Sequence, residues 1–402
     1  MSIYMKLGAF AFYAAVSFGC GSTTTKAPVK SAESELIDEL QVSNSEQVED
    51  PSLSGPCRKL AELLSAENDP LNENAFHRLF DYEAIARQGL DQVEADLLGT
   101  EETVINAYLS GLKSANVSYQ VEGAWLPFAN ASGRCLLYNT GDDGVSALEV
   151  RVVELDAKEG GFKVVDFKNA RMLAWASEMA AQSLKYLYEG DPFPPRNGYA
   201  FTTKDSWDER VTIGKNISAL RGAAASDALA TFSGLSAEQK RALVVASAIS
   251  SVEADSLDHY AELLSQIMAL HPASKNELYF LDFALVTGDA PLIHAIFQNF
   301  RNTYGDLAVM HRDESYYLQT VGATKMAARS AERVLELDPY NSDSYFSVLN
   351  VAVRAKNYDA AVEALQVMHA LDSGVDFSQL NGDGFYEGLF ASEQYRAWQA
   401  SL

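Results

Sequence analysis

Basic residues are scarce in this chain: 31 Lys and Arg stand against 55 Asp and Glu, for a net charge of −24 over 402 residues. A nucleic-acid partner needs a basic face to displace counterions from phosphates, so this balance argues against one. It equally disfavours adhesion of the protein surface to anionic headgroups, so any membrane attachment would have to be covalent. Apolar runs of membrane length are also missing. The longest, Leu7 to Phe18, is about a dozen residues, whereas a bilayer span needs about 20. Metal and phosphate motifs are absent: the six His are scattered, and no His-Glu-x-x-His or paired-Cys spacing occurs. Gly214-Lys215-Asn216 lacks the preceding glycine and following hydroxyl of a phosphate loop. Gly234-Leu235-Ser236 is not followed by the glycine of a nucleophile elbow. These absences lead us to expect no metal, no cofactor and no catalytic residues.

What remains is a chain that should fold. Hydrophobic residues make up 48% and charged residues 21%, and the length suits two modest domains. The N-terminus is the most informative stretch. Lys6 and the apolar run after it fit a secretory signal, ending at Ser17-Phe18-Gly19-Cys20. This resembles a bacterial lipoprotein signal, which implies that residues 1–19 are removed and that Cys20 is acylated as the mature N-terminus. Ser17 and Phe18 depart from the usual pattern, and the alternative is an ordinary secretory signal with a chance cysteine. Gly21, rather than Asp, leans towards the outer membrane by the same resemblance. Residues 20–56 then run Thr-, Ser-, Glu- and Asp-rich without apolar period, too poor in apolar surface to offset the entropy of ordering. As a flexible coil this tether would span on the order of 33 Å.

The two remaining cysteines, Cys57 and Cys135, can pair in an oxidising compartment; the alternative is two buried thiols. Between residues 57 and 168 a helical half precedes a strand half. Arg58–Ala66 and Asn74–Leu90 carry helix-spaced apolar residues, and a third helix is expected from Thr100. Strands are expected at Val117–Trp125, Gly133–Tyr138, Ser146–Leu155 and Phe162–Phe167, with Gly-rich turns between the later ones. In the third, Leu148, Val150 and Val152 alternate with Glu149 and Arg151, which reads as a sheet with one buried face. The element Phe80-Asp81-Tyr82-Glu83-Ala84-Ile85-Ala86, the later helix and the closing strand Phe162-Lys163-Val164-Val165-Asp166-Phe167 resemble the NTF2-like superfamily. That resemblance implies an α+β cone of helices on a curved antiparallel sheet, and it makes His77, Asp81, Tyr108 and Tyr119 the candidates for a group inside the cone. For His77 a structural or surface role is the expected one, and for Asp81 solvation.

A connecting helix from Asn169 to Lys185 and a Pro-rich linker occupy residues 169–204, with Met172, Leu173, Trp175, Met179 and Leu184 as core. Residues 205–402 read as helix after helix. Ser342 to Asp372, with Tyr345, the turn Asn357-Tyr358-Asp359-Ala360-Ala361 and Leu365, resembles a tetratricopeptide (TPR) unit. The endings Leu337-Asp338-Pro339 and Leu270-His271-Pro272 repeat at 67 residues, close to two periods of about 34. The resemblance implies an all-α TPR-like solenoid whose helix pairs bury their apolar faces against neighbours, with the aromatic tail from Phe385 to Trp398 as its cap. Leu349 and Ser373 depart from the family pattern. Together these features lead us to expect a non-enzymatic, lipid-anchored adaptor of the bacterial envelope. Its partners would be a protein or peptide bound by the helical repeats and a membrane entered through the lipid on Cys20. The competing expectation is a small-ligand carrier or isomerase- or dehydratase-type enzyme using the cone.

Overall fold

The structure, a computed structural model, describes residues 55–65, 78–91, 125–129, 134–141, 144–154, 161–169, 172–173, 175–179, 215–372, 377–380 and 384–401. Cys20, the signal and tether segments, His77, Tyr108, Tyr119 and Leu184 lie outside the described residues. The architecture is mixed α+β and mostly helical, with one small antiparallel sheet and a C-terminal helical stretch. Two compact units divide between Gly305 and Asp306.

The first unit contains helices α1 (Gly55–Ser65) and α2 (Tyr82–Asp91) and strands β1 (Leu126–Ala129), β2 (Arg134–Gly141), β3 (Gly144–Glu154) and β4 (Phe162–Asn169). The strands pair antiparallel in chain order. Cys135 and Leu137 face Val150 and Leu148 across the β2–β3 register, and these four join Val164, Phe167, Leu60, Phe80 and Ile85 in one buried cluster. Strand β4 carries an irregularity that makes this possible. Arg151 pairs with Asp166 but Val152 pairs with Val164, so Val165 is an extra residue in the ladder. Val164 and Phe167, three apart, therefore reach the same core at 0% and 1% exposure.

The helix expected over Asn74–Leu90 is interrupted. Leu79 and Asp81 bond to the backbone of Val164 instead (Asp81 N to Val164 O 2.8 Å, Val164 N to Leu79 O 2.8 Å). The Asp81 carboxylate then accepts from the Ala84 N–H at 2.9 Å, the side-chain bond that satisfies an orphan donor at a helix start. β4 also runs on through Asn169, so no helix begins there; within the stretch expected to be helical, the described helical residues are 176–179. Met172, Leu173 and Trp175 are buried.

Helices α3 (Ala225–Ser233), α4 (Ala237–Arg241), α5 (Leu243–Ile249), α6 (Leu257–Leu270), α7 (Leu281–Thr287) and α8 (Ala290–Tyr304) also belong to the first unit. The second holds α9 (Ala308–Thr320), α10 (Thr324–Leu337), α11 (Ser342–Arg354), α12 (Tyr358–Leu371), α13 (Glu387–Phe390) and α14 (Glu393–Gln399). One turn recurs along the helical stretch. Gly288, Gly322 and Lys356, at intervals of 34 residues, adopt the left-handed conformation (φ 70°, 77° and 55°). In each turn the next N–H reaches back five residues: Asp289 to Ala284, Ala323 to Leu318 and Asn357 to Ala352. This is the Schellman ending of a helix, which glycine adopts without steric cost. Burial recurs at the same interval. Leu281, Ser315 and Leu349 are at most 1% exposed, as are Ile293, Ala327 and Ala361, and Phe297, Ala331 and Leu365. Ser315 fits a small hydroxyl where α9 and α10 approach, donating to the Ala327 carbonyl at 2.9 Å.

Lys356 is the non-glycine residue of the set and is exposed. Lys356→Gly should therefore stabilise the second unit, by about 0.5–1 kcal/mol, because a Cβ in this conformation costs about that much more than glycine's extra chain entropy. A rise in the urea midpoint at unchanged slope would report it; an unchanged or lower midpoint would refute it. Beyond α12 the tail closes the stack. Tyr386, Leu389 and Trp398 are buried in a cluster with Leu349, Leu365 and Met368, and Tyr395 meets Phe390 and Trp398 edge-on at 4.8 and 5.6 Å.

Candidate functional site

Alternation along β3 puts Ala147, Glu149 and Arg151 on the sheet face away from the aromatic core, and the register extends them into two polar rows. Glu149 sits between Leu136 and Lys168; Arg151 sits between Arg134 and Asp166. The sequence pattern alone would leave this face in water. Instead it is covered, because Leu136, Tyr138 and Asp166 are each 0% exposed and Lys168 is 9% exposed. Trp175, Ser177, Glu277 and Tyr304 supply the partners.

In the first row the Tyr304 hydroxyl donates to Glu149 Oε2 at 2.5 Å, and Lys168 Nζ lies 2.8 Å from Glu277 Oε2. Burial pushes the Glu149 carboxyl above its ordinary range. The charge of Lys168 and the hydrogen bond from Tyr304 oppose the shift, and Glu277 adds to it. The Tyr304 phenol is driven up by burial and by the Glu149 charge. In the second row Asp166 Oδ2 accepts from Ser177 Oγ at 2.7 Å and from Arg151 at 3.1 Å. Its Oδ1 accepts from the Ser177 and Phe167 N–H groups at 3.1 and 3.0 Å. Burial still holds this carboxyl above its usual range against those four bonds. Arg134 and Arg151 face each other directly, an arrangement that repels. The Trp175 ring lies 4.1 Å from the Arg151 guanidinium and 5.3 Å from that of Arg134, so the quadrupole of its face offsets part of that repulsion.

The cavity between the rows and the helical segment is lined by Ala147, Glu149, Lys168, Met172, Glu277, Leu278, Tyr279 and Phe300 and holds about 10 Å³. That is room for about one water, far below the hundreds of Å³ of a small-molecule site. The chemistry available here is attachment: two charge-assisted contacts fasten α8 and the start of the α7 segment to the sheet.

No family model, curated protein or solved structure matches this chain.

Of the residues singled out from sequence, Asp81 is a helix cap, part-buried and bonded to Ala84. Cys57 and Cys135 are bonded to each other, Cα atoms 5.6 Å apart, tying α1 to β2. Among the described residues no group of three or more His, Cys, Asp or Glu could hold a metal ion, and no helix is long and apolar enough to cross a membrane. The residues that sequence reasoning passed over are Glu149, Lys168, Asp166, Ser177 and Tyr304. Alternation does flag Glu149 and Arg151 as one face, but Tyr304 lies 155 residues from Glu149, and no local period connects them.

Glu149 gives this face a pH signature. A carboxyl whose folded pKa is raised binds its proton more tightly when folded, so stability falls as pH rises from the ordinary value of 4.5 through the raised one. Glu149→Gln keeps an acceptor for Tyr304 and cannot ionise. The variant should lose part of that downward slope, read as melting temperature against pH beside the parent. Identical slopes would show that Glu149 does not ionise across this face.

Proposed function

We propose that the chain is a lipid-anchored protein of the bacterial envelope that binds a protein or peptide through TPR-like repeats and acts as an adaptor rather than an enzyme. The observation that carries this reading is the 34-residue recurrence of one left-handed turn and one set of buried positions from Leu281 to Leu365, the period of tetratricopeptide arrays. Stacked helix pairs of this kind present an extended surface, which suits a polypeptide ligand better than a small molecule. The α+β part is assigned an NTF2-like role as a packed module. Among the described residues, the space between α1, α2 and the sheet is filled by Trp125, Phe80 and Phe167, the last two edge-on at 5.7 Å, which supports a module over an open cone. The anchor rests on the signal ending at Cys20 and the acidic tether behind it.

Two measurements test the proposal. Mass spectrometry of the mature N-terminus should find an acylated Cys20; an unmodified or internal Cys20 removes the anchor. Cross-linking in intact envelopes should recover a partner whose capture depends on residues 213–398, and a partner-independent pattern removes the adaptor.

A further inference from the structure

The chain leaves the first unit through one residue whose backbone only glycine favours. Gly305 ends α8 at φ 97° and ψ 172°, a region that is essentially glycine's alone. Crowding does not require glycine there, since a Cβ built on Gly305 would meet nothing within 4 Å. The path of the chain requires it. The corresponding links elsewhere in the helical stretch are stiffer. Thirty-four residues on, the link between α10 and α11 carries Pro339, whose ring fixes φ and whose carbonyl accepts from the Tyr345 hydroxyl at 3.1 Å. One link earlier, α6 is followed by His271-Pro272. The link with the freest backbone is thus the one at which the two compact units divide.

Both neighbours of Gly305 are fastened, each within its own unit. On the first side Tyr304 is buried and its hydroxyl donates to Glu149 of β3 at 2.5 Å. The Gly305 N–H closes the last turn of α8 on the Arg301 carbonyl at 2.9 Å. On the second side Asp306 Oδ2 accepts from Arg333 of α10 at 2.6 and 2.9 Å, and its Oδ1 lies 2.6 Å from Nε2 of His311 in α9. Leu307 already caps α9, its carbonyl accepting from the Met310 and His311 N–H groups at 3.1 and 3.4 Å. Rotation along this link is therefore concentrated in the dihedrals around Gly305. Hinges have this form: a residue or two at the end of an element, taking up the φ/ψ change between packed bodies.

We infer that Gly305 is a hinge about which the two units turn, bounded by the Tyr304–Glu149 contact on one side and the Asp306–Arg333 contact on the other. The hinge is a property of the link and does not depend on what the chain binds. The test uses the full chain with spin labels on non-canonical residues at Glu238 and Glu363, exposed positions of the first and second units, so that the cysteines stay untouched. Distances trapped by rapid freezing should spread more widely than those of a pair inside the first unit, at Glu238 and the exposed Glu262. Gly305→Ala, whose Cβ disfavours the present conformation, should narrow that spread and move its mean. Gly322→Ala, at φ 77° and equally open, should leave the spread as in the parent. A spread in the parent no wider than that of the pair inside one unit would overturn the hinge, whether or not the variants fold. A wide spread that Gly305→Ala leaves unchanged would overturn it too, by placing the freedom elsewhere. Either result leaves the adaptor reading to the cross-linking experiment, which fails or succeeds separately.

Discussion

Asp166→Ala should cost the first unit about 3–5 kcal/mol, the usual penalty for removing one partner of a buried charged network. The carboxylate has 0% exposure and receives four hydrogen bonds. Truncation leaves two backbone N–H groups and the Ser177 hydroxyl without that acceptor, and takes the carboxylate from beside Arg151 where it faces Arg134 across the strands. Asp166→Asn distinguishes the contributions. Its oxygen can still take the N–H groups of Phe167 and Ser177, and its NH₂ can donate to the Ser177 hydroxyl, so only the Arg151 contact is lost. We expect about half the cost or less. Urea unfolding followed by tryptophan fluorescence would measure both, Trp125 and Trp175 lying in this unit. Equal, small losses for the two variants would mean that the network adds little and that the strand is held by its apolar side alone.

The second large effect concerns the covalent tie. The bond between Cys57 and Cys135 closes a loop of 78 residues, and constraining an unfolded chain over that length stabilises the folded state by about 4 kcal/mol on the chain-entropy account. Cys57→Ala/Cys135→Ala should lower stability by that order, and reductant should do the same to the parent but nothing to the variant. Both sulfurs are buried, at 1% and 0% exposure, so part of the loss is packing. A second readout separates the two: α1 also holds the core through Leu60 and Ala61, so its amides should exchange faster in the variant while those of β3 change least. Parent melting curves that coincide with and without reductant would defeat the expectation.

Legibility in the sequence tracked how local each signal was. β2, β3 and β4 could be read within a few residues because β-branched and aromatic runs are separated by Gly141 to Gly144 and by Gly161, which has φ 132°. The pair α11–α12 could be read from its turn, where Asn357 accepts from the Ala360 N–H. By contrast α9 has no clean apolar stripe, since His311, Asp313, Glu314, Ser315 and Gln319 are among its buried positions. The break before α2 was hidden because Phe80 continues a helical period while its neighbours bond to β4. The covered polar face was hidden for a different reason: Glu149 and Lys168 are ordinary surface residues until Tyr304 and Glu277, distant in the chain, arrive.

The extra residue in β4 bears on how this strand can change in length. A strand counts in twos, and losing one residue ordinarily turns every side chain beyond the gap to the opposite side. Here the count is already odd at Val165, between Val164 and Asp166. Deleting Val165 would leave Val164 inward, Asp166 outward and Phe167 inward, at the loss of the bond from Gln88 to the Val165 carbonyl. A deletion that would scramble most sheets would, at this one position, make the ladder regular.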